Sequence, residues 1–412
     1  MRAATFLFAL ALLIAPLAAE EGPTGPFVVH EWGTFTGFAG SDGVYLEYRP
    51  IVDNELPAFV YDRARQAGLS EERQLVLSKS GMSALQRMET PVLYFYTDQP
   101  REVDVRVDFP EGIMTEFFPP VREMAPAYVP GQPEPLTGGM LRWGRVLVFP
   151  ESMLATLQPD ARVPAVEGDN HYAYARETDS ALVRRCDKSG MQDDYYEKFL
   201  FYRGVGNFRL PIQVEAKGGD RIVVSNGGAQ PIHSVFAVNV REGRVRFAKA
   251  SSIAPGGSVE VSLPADEASA DALSDAMAGA LVAEGLYEKE ARAMVKTWRT
   301  SWMGEEGTRL FYMVPREATD RLLPLTLEPE PDELVRVLVG RLEFLTPERE
   351  AEIASLVRSL GAESPSERDA ATDSIAAMGR FADPALRRAL ESTRDAEVRA
   401  RAERLLEQLR QR

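Results

Sequence analysis

A histidine, a carboxylate and an indole stand side by side in Val28-Val29-His30-Glu31-Trp32-Gly33-Thr34-Phe35-Thr36. With three histidines and four tryptophans in 412 residues, the chain places scarce side chains here. An imidazole can bind a metal or move a proton near neutral pH, and a carboxylate can orient the ring. The other histidines are His171, in Glu167-Gly168-Asp169-Asn170-His171-Tyr172, and His233, in Pro231-Ile232-His233. Together with Asp169 or Glu31, His30, His171 and His233 form a candidate zinc site with one position open for water. No H-E-x-x-H spacing supports it, so only folding could unite these residues. Strand alternation places His30 with Val28 and Trp32 on one face and Glu31 with Val29 and Gly33 on the other. That separates the acid from the base, and Gly33 leaves room for a close approach by Trp32 or a neighbour. Packing of His30 against Trp32 is the simpler use of the segment.

Carboxylates offer a second chemistry. Glu31, Glu47, Glu89, Glu116, Asp169, Glu177 and Asp179 lie in or beside a β-rich region. Two carboxyl groups about 5 to 9 Å apart can cleave a glycosidic bond. Tyr45, Tyr48, Tyr94, Tyr96, Tyr172 and Tyr174 would suit a sugar platform, although Tyr94-Phe95-Tyr96 at period two reads more simply as core. Neither G-x-S-x-G nor S-x-x-K occurs, and Gly204-Val205-Gly206-Asn207 lacks the glycine and lysine of a phosphate loop. Cys186 is alone, so it forms no intrachain disulfide; Arg184, Arg185 and Lys188 would stabilise its thiolate, but no partner is identifiable. On residue types alone, an enzyme and a binding protein both stay open.

Three regions must position these groups. Residues 23–263 are dominated by short β-like runs: Val103 to Phe109 alternates apolar and charged residues, and Leu141 to Phe149 reads similarly. Five further runs between 208 and 263, separated by glycine-rich turns, resemble part of an immunoglobulin-like sandwich. Lys79 to Met82, with Arg87 and Glu89, reads as a polar loop feeding a strand from Pro91 to Thr97. The proline-dense stretch from Pro119 to Gly139 predicts a long loop without regular structure. Residues 264–346 form an α/β extension packed on that core, with helices over Asp266 to Ala283 and Lys289 to Trp302 and strands over Leu310 to Val314 and Leu334 to Phe344.

Residues 347–412 differ. Thr346-Pro347, Ser364-Pro365-Ser366-Glu367 and Asp383-Pro384 are helix starts, the second with a capping box, and Asp395 begins a last helix. Arg368, Ala371 and Ile375 recur as Arg399, Ala402 and Leu406, the fixed period of a short HEAT-like repeat. So few repeats do not fold alone, which predicts docking onto the core. Thirteen acidic residues against twelve arginines make the segment nearly neutral. Helical repeats serve interaction far more often than catalysis. The fold class expected is α+β: an antiparallel β-sandwich-like core, an α/β extension and a C-terminal HEAT-like segment.

Arg2, an apolar run to Ala19 and the small residues before Glu20-Glu21 describe a secretory signal peptide over residues 1–19, predicting a periplasmic or extracellular protein with no stable membrane span. A net charge of −15 argues against nucleic acid as a partner. Val29 to Thr36, Met88-Glu89-Thr90-Pro91-Val92-Leu93-Tyr94-Phe95-Tyr96 and Glu197 to Gly206 resemble signature segments of an uncharacterised group of secreted bacterial proteins, and the stretch from Gly285 to Pro347, including Thr297-Trp298-Arg299-Thr300-Ser301-Trp302, is similar too. That resemblance covers residues 28 to about 347. It implies secretion and a shared fold, and assigns no reaction. Binding at the cell envelope, to a protein or envelope component through the helical repeat, is the expected role. The alternatives are a divalent-metal hydrolase and a glycan-binding protein.

Overall fold

The computed structural model describes residues 25–47, 56–68, 82, 84–129, 132, 135–157, 162–186 and 194–410. The expected signal peptide over residues 1–19, the loop start at Lys79 and the ring of Tyr48 lie outside them. In chain order the strands begin with β1 (Phe27–Ala39), β2 (Tyr61–Asp62), β3 (Gln86–Thr97), β4 (Arg101–Phe109), β5 (Gly112–Phe118) and β6 (Glu123–Ala125). Next come β7 (Gly139–Phe149), β8 (Leu182–Arg185), β9 (Tyr195–Glu197), β10 (Leu200–Gly206), β11 (Ile212–Gly218) and β12 (Arg221–Asn226). The last six are β13 (Ile232–Arg241), β14 (Arg244–Ile253), β15 (Ser258–Ser262), β16 (Gly307–Met313), β17 (Leu325–Glu328) and β18 (Glu333–Phe344).

A nine-stranded sheet runs β14-β13-β16-β18-β1-β3-β10-β5-β2. A six-stranded sheet runs β17-β4-β7-β8-β9 with β6 beside β7, and β11-β12-β15 form a third. Only β1 and β18 pair in parallel among these strands; their neighbours in the large sheet are antiparallel. The segment 208–263 divides its five strands between two sheets. The segment 264–346 supplies two inner strands of the large sheet, β16 and β18.

Inner strands are apolar on both faces, and so is β1. Val29 and Phe35 face a core shared with Val105, Trp143, Val214 and Val224 of the two smaller sheets. Trp32 faces the opposite way, beneath the helices Ala270–Ala283 and Glu288–Arg299, which lay Leu273, Met277, Met294 and Trp298 over Val92, Phe311 and Val337. Each fully buried apolar side chain contributes about 1.5–3 kcal/mol, so these two cores, rather than ion pairs, supply the stability. The result is a mixed α+β protein with large, mainly antiparallel sheets and a C-terminal helical segment. No helix among the described residues is long and apolar enough to cross a membrane.

Four helices, Pro347–Ser359, Pro365–Met378, Asp383–Ser392 and Ala396–Arg410, form the C-terminal segment. Their buried stripe, including Ile353, Ala371, Ile375, Leu386 and Ala402, closes on Phe38 and Leu345 of the sheet region. Thr346 caps its helix through Arg349 N at 3.3 Å, and Asp395 accepts from Glu397 N and Val398 N. Ser364 departs from expectation: its hydroxyl meets Ser366 at 2.8 Å and no capping box forms. Asp383 lies just inside its helix and pairs with Arg387 instead of capping.

Three further expectations are corrected. Arg87 and Glu89 lie within β3, not in a loop. The proline-dense stretch holds a strand, β6, because Glu123, Met124 and Ala125 retain the N–H groups that their proline neighbours lack. The second helix changes pitch at Thr300, where a π-helical turn runs to Gly304.

Beneath this frame, Glu31 is fully buried and accepts from Arg336 Nε at 2.5 Å and from the Tyr202 hydroxyl. Removing one partner of a buried pair leaves the other charge desolvated and uncompensated, whereas replacing both with apolar groups does not. Arg336 keeps Asp320 at 2.8 Å when Glu31 is removed, so Glu31→Leu alone is expected to lower the unfolding free energy by about 3 kcal/mol in urea melts, and the Glu31→Leu/Arg336→Met pair by much less. Equal losses in the two proteins would contradict this pairing.

Candidate functional site

Met88-Glu89-Thr90-Pro91 breaks the register of the large sheet. Trp32 pairs with Val92 and Thr34 with Glu89, so Thr90 and Pro91 together oppose the single residue Gly33. Proline cannot donate to a ladder and is tolerated at such a bulge. Gly33 has a reason to be glycine: a Cβ there would lie 2.9 Å from Pro91 Cα. Thr90 is held at φ 52°, a conformation rare for a β-branched residue.

The extra residue inverts the alternation of β3. Leu93 and Phe95 face the inter-sheet core, and so does Met88. Glu89 is thereby turned to the helix side, where unbroken alternation would have sent it into the core with Leu93. The irregularity continues into β10, whose pairing skips Arg203 on its β5 side. Arg203 shares the helix-side face with Phe201 and lies over its ring at 5.6 Å.

Where the helix pair stops covering this face, a cavity of about 480 Å³ opens. Thr36, Glu89, Arg203, His171, Trp298, Thr300 and Ser301 line it, so β1, β3, β10, the end of the second helix and the Asp169-Asn170-His171 turn meet there. The far wall is ionic. Arg309, Arg341 and Glu343 project from β16 and β18 on the face that carries Phe311 and Val339. Glu343 accepts from Arg341 and from Arg380 Nε at 2.7 Å, with Arg309 Nε 3.8 Å away. Glu305 accepts from Arg341 at 2.7 Å and from Arg380 at 2.8 Å. Burial alone would raise the Glu343 carboxyl, but Arg341, Arg380 and Arg309 together hold it well below the usual carboxylate range. Arg309 also donates to the carbonyls of Ser301, Trp302, Glu305 and Glu306, fixing the π-helical turn.

His171 opens a one-turn helix capped by Asn170, whose side chain accepts from Tyr172 N at 2.8 Å. Arg176, just beyond that turn, is anchored on buried Glu197 at 2.6 Å. The imidazole stacks on Trp298 with centroids 6.4 Å apart, and its Nε2 lies 3.3 Å from Arg203 Nη2. A guanidinium only donates, so Nε2 accepts and the neutral ring carries its proton on Nδ1. Burial first, then the charge of Arg203, pull His171 down to about 4 against a smaller opposing pull from Glu89.

No protein-family model matches the chain, and no curated relative does. Among solved structures, the Fcho1 mu homology domain of Danio rerio with bound Eps15 peptide aligns at 9% identity and TM-score 0.28, covering 79% of this chain and 99% of that one. The yeast delta-COP-I mu-homology domain aligns at 9% identity and TM-score 0.26, over 79% and 98%. Its complex with a Dsl1 WxWxV peptide aligns at 7% and 0.24, over 78% and 98%. Superpositions this loose carry no argument about this chain.

The structure separates the candidate zinc ligands. His30 is buried with Nδ1 2.7 Å from Glu290, which also accepts from Tyr96 at 2.7 Å. His233 is half exposed beside Glu284 at 3.4 Å. Asp169 and His171 do line one cavity, yet Asp169 accepts from Tyr174 and His171 meets Arg203. Among the described residues no group of three His, Cys, Asp or Glu side chains is placed to hold a metal ion. The four candidates fail as one centre because strand and helix starts hold them in different environments. Glu31 and Trp32 are core residues, and Glu31 faces away from His30 as alternation requires. Glu89 is the one carboxylate of the original set that the bulge delivers to the cavity alongside His171 and Asp169. Of the tyrosines considered for a sugar platform, Tyr45, Tyr94 and Tyr172 are buried, and Tyr174 carries Lys296 over its ring.

Residue type alone does not single out Arg203, Trp298, Arg341, Glu343 and Arg380. A signal existed: Arg336, Arg341 and Glu343 interrupt an otherwise apolar inner strand, and buried charges require partners.

Because the folded value of His171 lies below the ordinary 6.5, the unfolded chain takes up the proton first on acidification. Its contribution to stability is intact above that value and is lost as pH falls toward 4. In an NMR titration the His171 ring should stay neutral down to about pH 5, and His171→Asn should flatten the acid limb of the stability curve. Titration of His171 near its ordinary value would contradict its burial against Arg203.

Proposed function

We propose that the protein is a periplasmic or secreted binding protein of the cell envelope whose ligand seat is this cavity. One observation carries the reading. Segments remote in sequence, ending in Thr36, Glu89, Arg203 and Ser301, converge on one concave, polar space, and the sheet adopts a bulge with a left-handed threonine to present them. Strain of that kind, of order 1–3 kcal/mol, persists where surrounding structure over-determines it, and it clusters at ligand sites. A few polar groups converging in a pocket of several hundred Å³ suit a small ligand. The helical segment, expected from its repeat to meet a protein or envelope component, would act on this site through Arg380, which stands in the cavity wall.

A ligand that binds only the folded state raises its melting temperature. Thr300 is an exposed position on the cavity rim, so Thr300→Trp fills the cavity without entering the core. A deproteinised bacterial envelope extract should raise the melting temperature of the full chain by about 1–2.5 degrees, the shift that a linkage of about 1–2 kcal/mol gives in a chain this size. Thr300→Trp should melt normally without extract and lose that rise. An identical rise in the variant places the ligand elsewhere and overturns the reading.

A further inference from the structure

The ionic wall of the cavity holds more positive than negative charge. Five cations, Arg87, Arg203, Lys296, Arg341 and Arg380, line the cavity against four carboxylates, Glu89, Asp169, Glu305 and Glu343, and Arg309 stands behind Glu343. The imbalance occurs in a chain of net charge −15, where a chance cluster would be acidic. It is also felt within the cluster: burial pulls Arg309 down to about 10, Glu343 opposes that pull, and the like charges of Arg341 and Arg380 add to it.

Two donors point to what offsets it. Arg341 is 5% exposed and its Nε has no hydrogen-bond acceptor among the described residues. Trp298, 7% exposed, likewise has an indole N–H without an acceptor. Both side chains line the cavity. The two nitrogens themselves lie beneath the cavity surface, so a ligand acceptor meets them only if the side chain turns, and doing so relieves a cost already present in the folded chain. Ser301 accepts from Arg341, which leaves its hydroxyl proton to donate. The four carboxylates on the lining are already engaged: Glu89 with Arg87 at 2.9 Å, Asp169 with Tyr174, and Glu305 and Glu343 with the arginines. Excess guanidinium, an indole N–H and a hydroxyl proton together match a group that is anionic and only accepts.

We propose that the cavity seats the oxyanion of a small ligand, a carboxylate or a phosphate, against Arg341 and Arg380 with Arg309 behind them. This rests on the cavity being the ligand seat and names the chemistry that seat selects. Planar guanidiniums suit such groups because two parallel N–H donors can meet two oxygens. Arg380 arrives from the C-terminal segment, so the anion would also join that segment to the sheet.

Titration calorimetry of the full chain at low ionic strength, with inorganic phosphate in one arm and succinate in the other, tests the assignment. Saturable binding of at least one probe is expected, weakening as sodium chloride is added. Arg380→Gln should weaken it about tenfold or more, and Trp298→Phe, which keeps the ring bulk and leaves the ionic cluster whole, by about three- to tenfold. Arg292→Gln, on the exposed side of its helix, should bind as wild type. A preference between the two arms identifies whether phosphate or carboxylate is the natural head group. Should Arg380→Gln fail to fold, Trp298→Phe decides alone. No saturable binding of either probe, or wild-type affinity in every folded cavity variant, overturns the proposal. An envelope ligand that is blocked by Thr300→Trp while both anions are ignored would leave the cavity as the seat and defeat only the oxyanion assignment.

Discussion

Glu343 is the residue on which the arrangement turns. It lies near the end of an inner strand, fully enclosed, and takes charge from its own strand through Arg341, from the C-terminal helices through Arg380 and from the neighbouring strand through Arg309. An isolated carboxylate could not be buried there, because desolvation would protonate it or unfold the site. Surrounded by guanidiniums it stays ionised, and its charge becomes the fixed point around which three otherwise separate elements are held. Arg309 extends the constraint further by capping the carbonyls of the π-helical turn that presents Thr300 and Ser301. Buried ion clusters contribute little net stability compared with the apolar cores on either side of the sheet. Their effect here is geometric: they fix which surfaces meet and with what charge.

The second constraint is the bulge opposite Gly33. One added residue exchanges the two faces of β3 below it, delivering Glu89 to the cavity while Met88 stays in the inter-sheet core. Gly33, Pro91 and left-handed Thr90 form one mechanism: the proline lacks a donor, the glycine admits its ring, and the threonine absorbs the turn. The cavity floor is therefore a defect built into an otherwise regular sheet, and the neighbouring strand accommodates it by leaving Arg203 on the same face as Phe201.

Much of the frame is legible in the chain itself. Val103 to Phe109 alternates cleanly and becomes β4; Thr346-Pro347 starts a helix; Ala371 and Ile375 repeat as Ala402 and Leu406 and all are buried. The opposite orientation of His30 and Glu31 follows from period two alone. What periodicity does not reveal is tertiary. Parallel pairing of β1 with β18 joins residues some three hundred positions apart, and nothing local records it. Residue type draws attention to histidines, yet His30 and His233 go to separate carboxylates, and four arginines stand in the cavity lining. Arginine is common on surfaces, so only its occurrence inside an apolar strand, as at Arg341, distinguishes a buried one. Glu89 was visible as a carboxylate, but its direction depended on a bulge that becomes readable only when Gly33 and Pro91 are known to face each other.

Hydrogen–deuterium exchange of the full chain, with and without the envelope ligand fraction, is the most direct measurement of the central claim. Ligand binding should slow exchange in Thr36–Phe38, Arg87–Thr90, the Asn170–Tyr172 turn and the 296–304 segment together, because these backbones surround one cavity. Protection confined to the outer surface of the helices between Pro347 and Arg410, with those four segments unchanged, would contradict it.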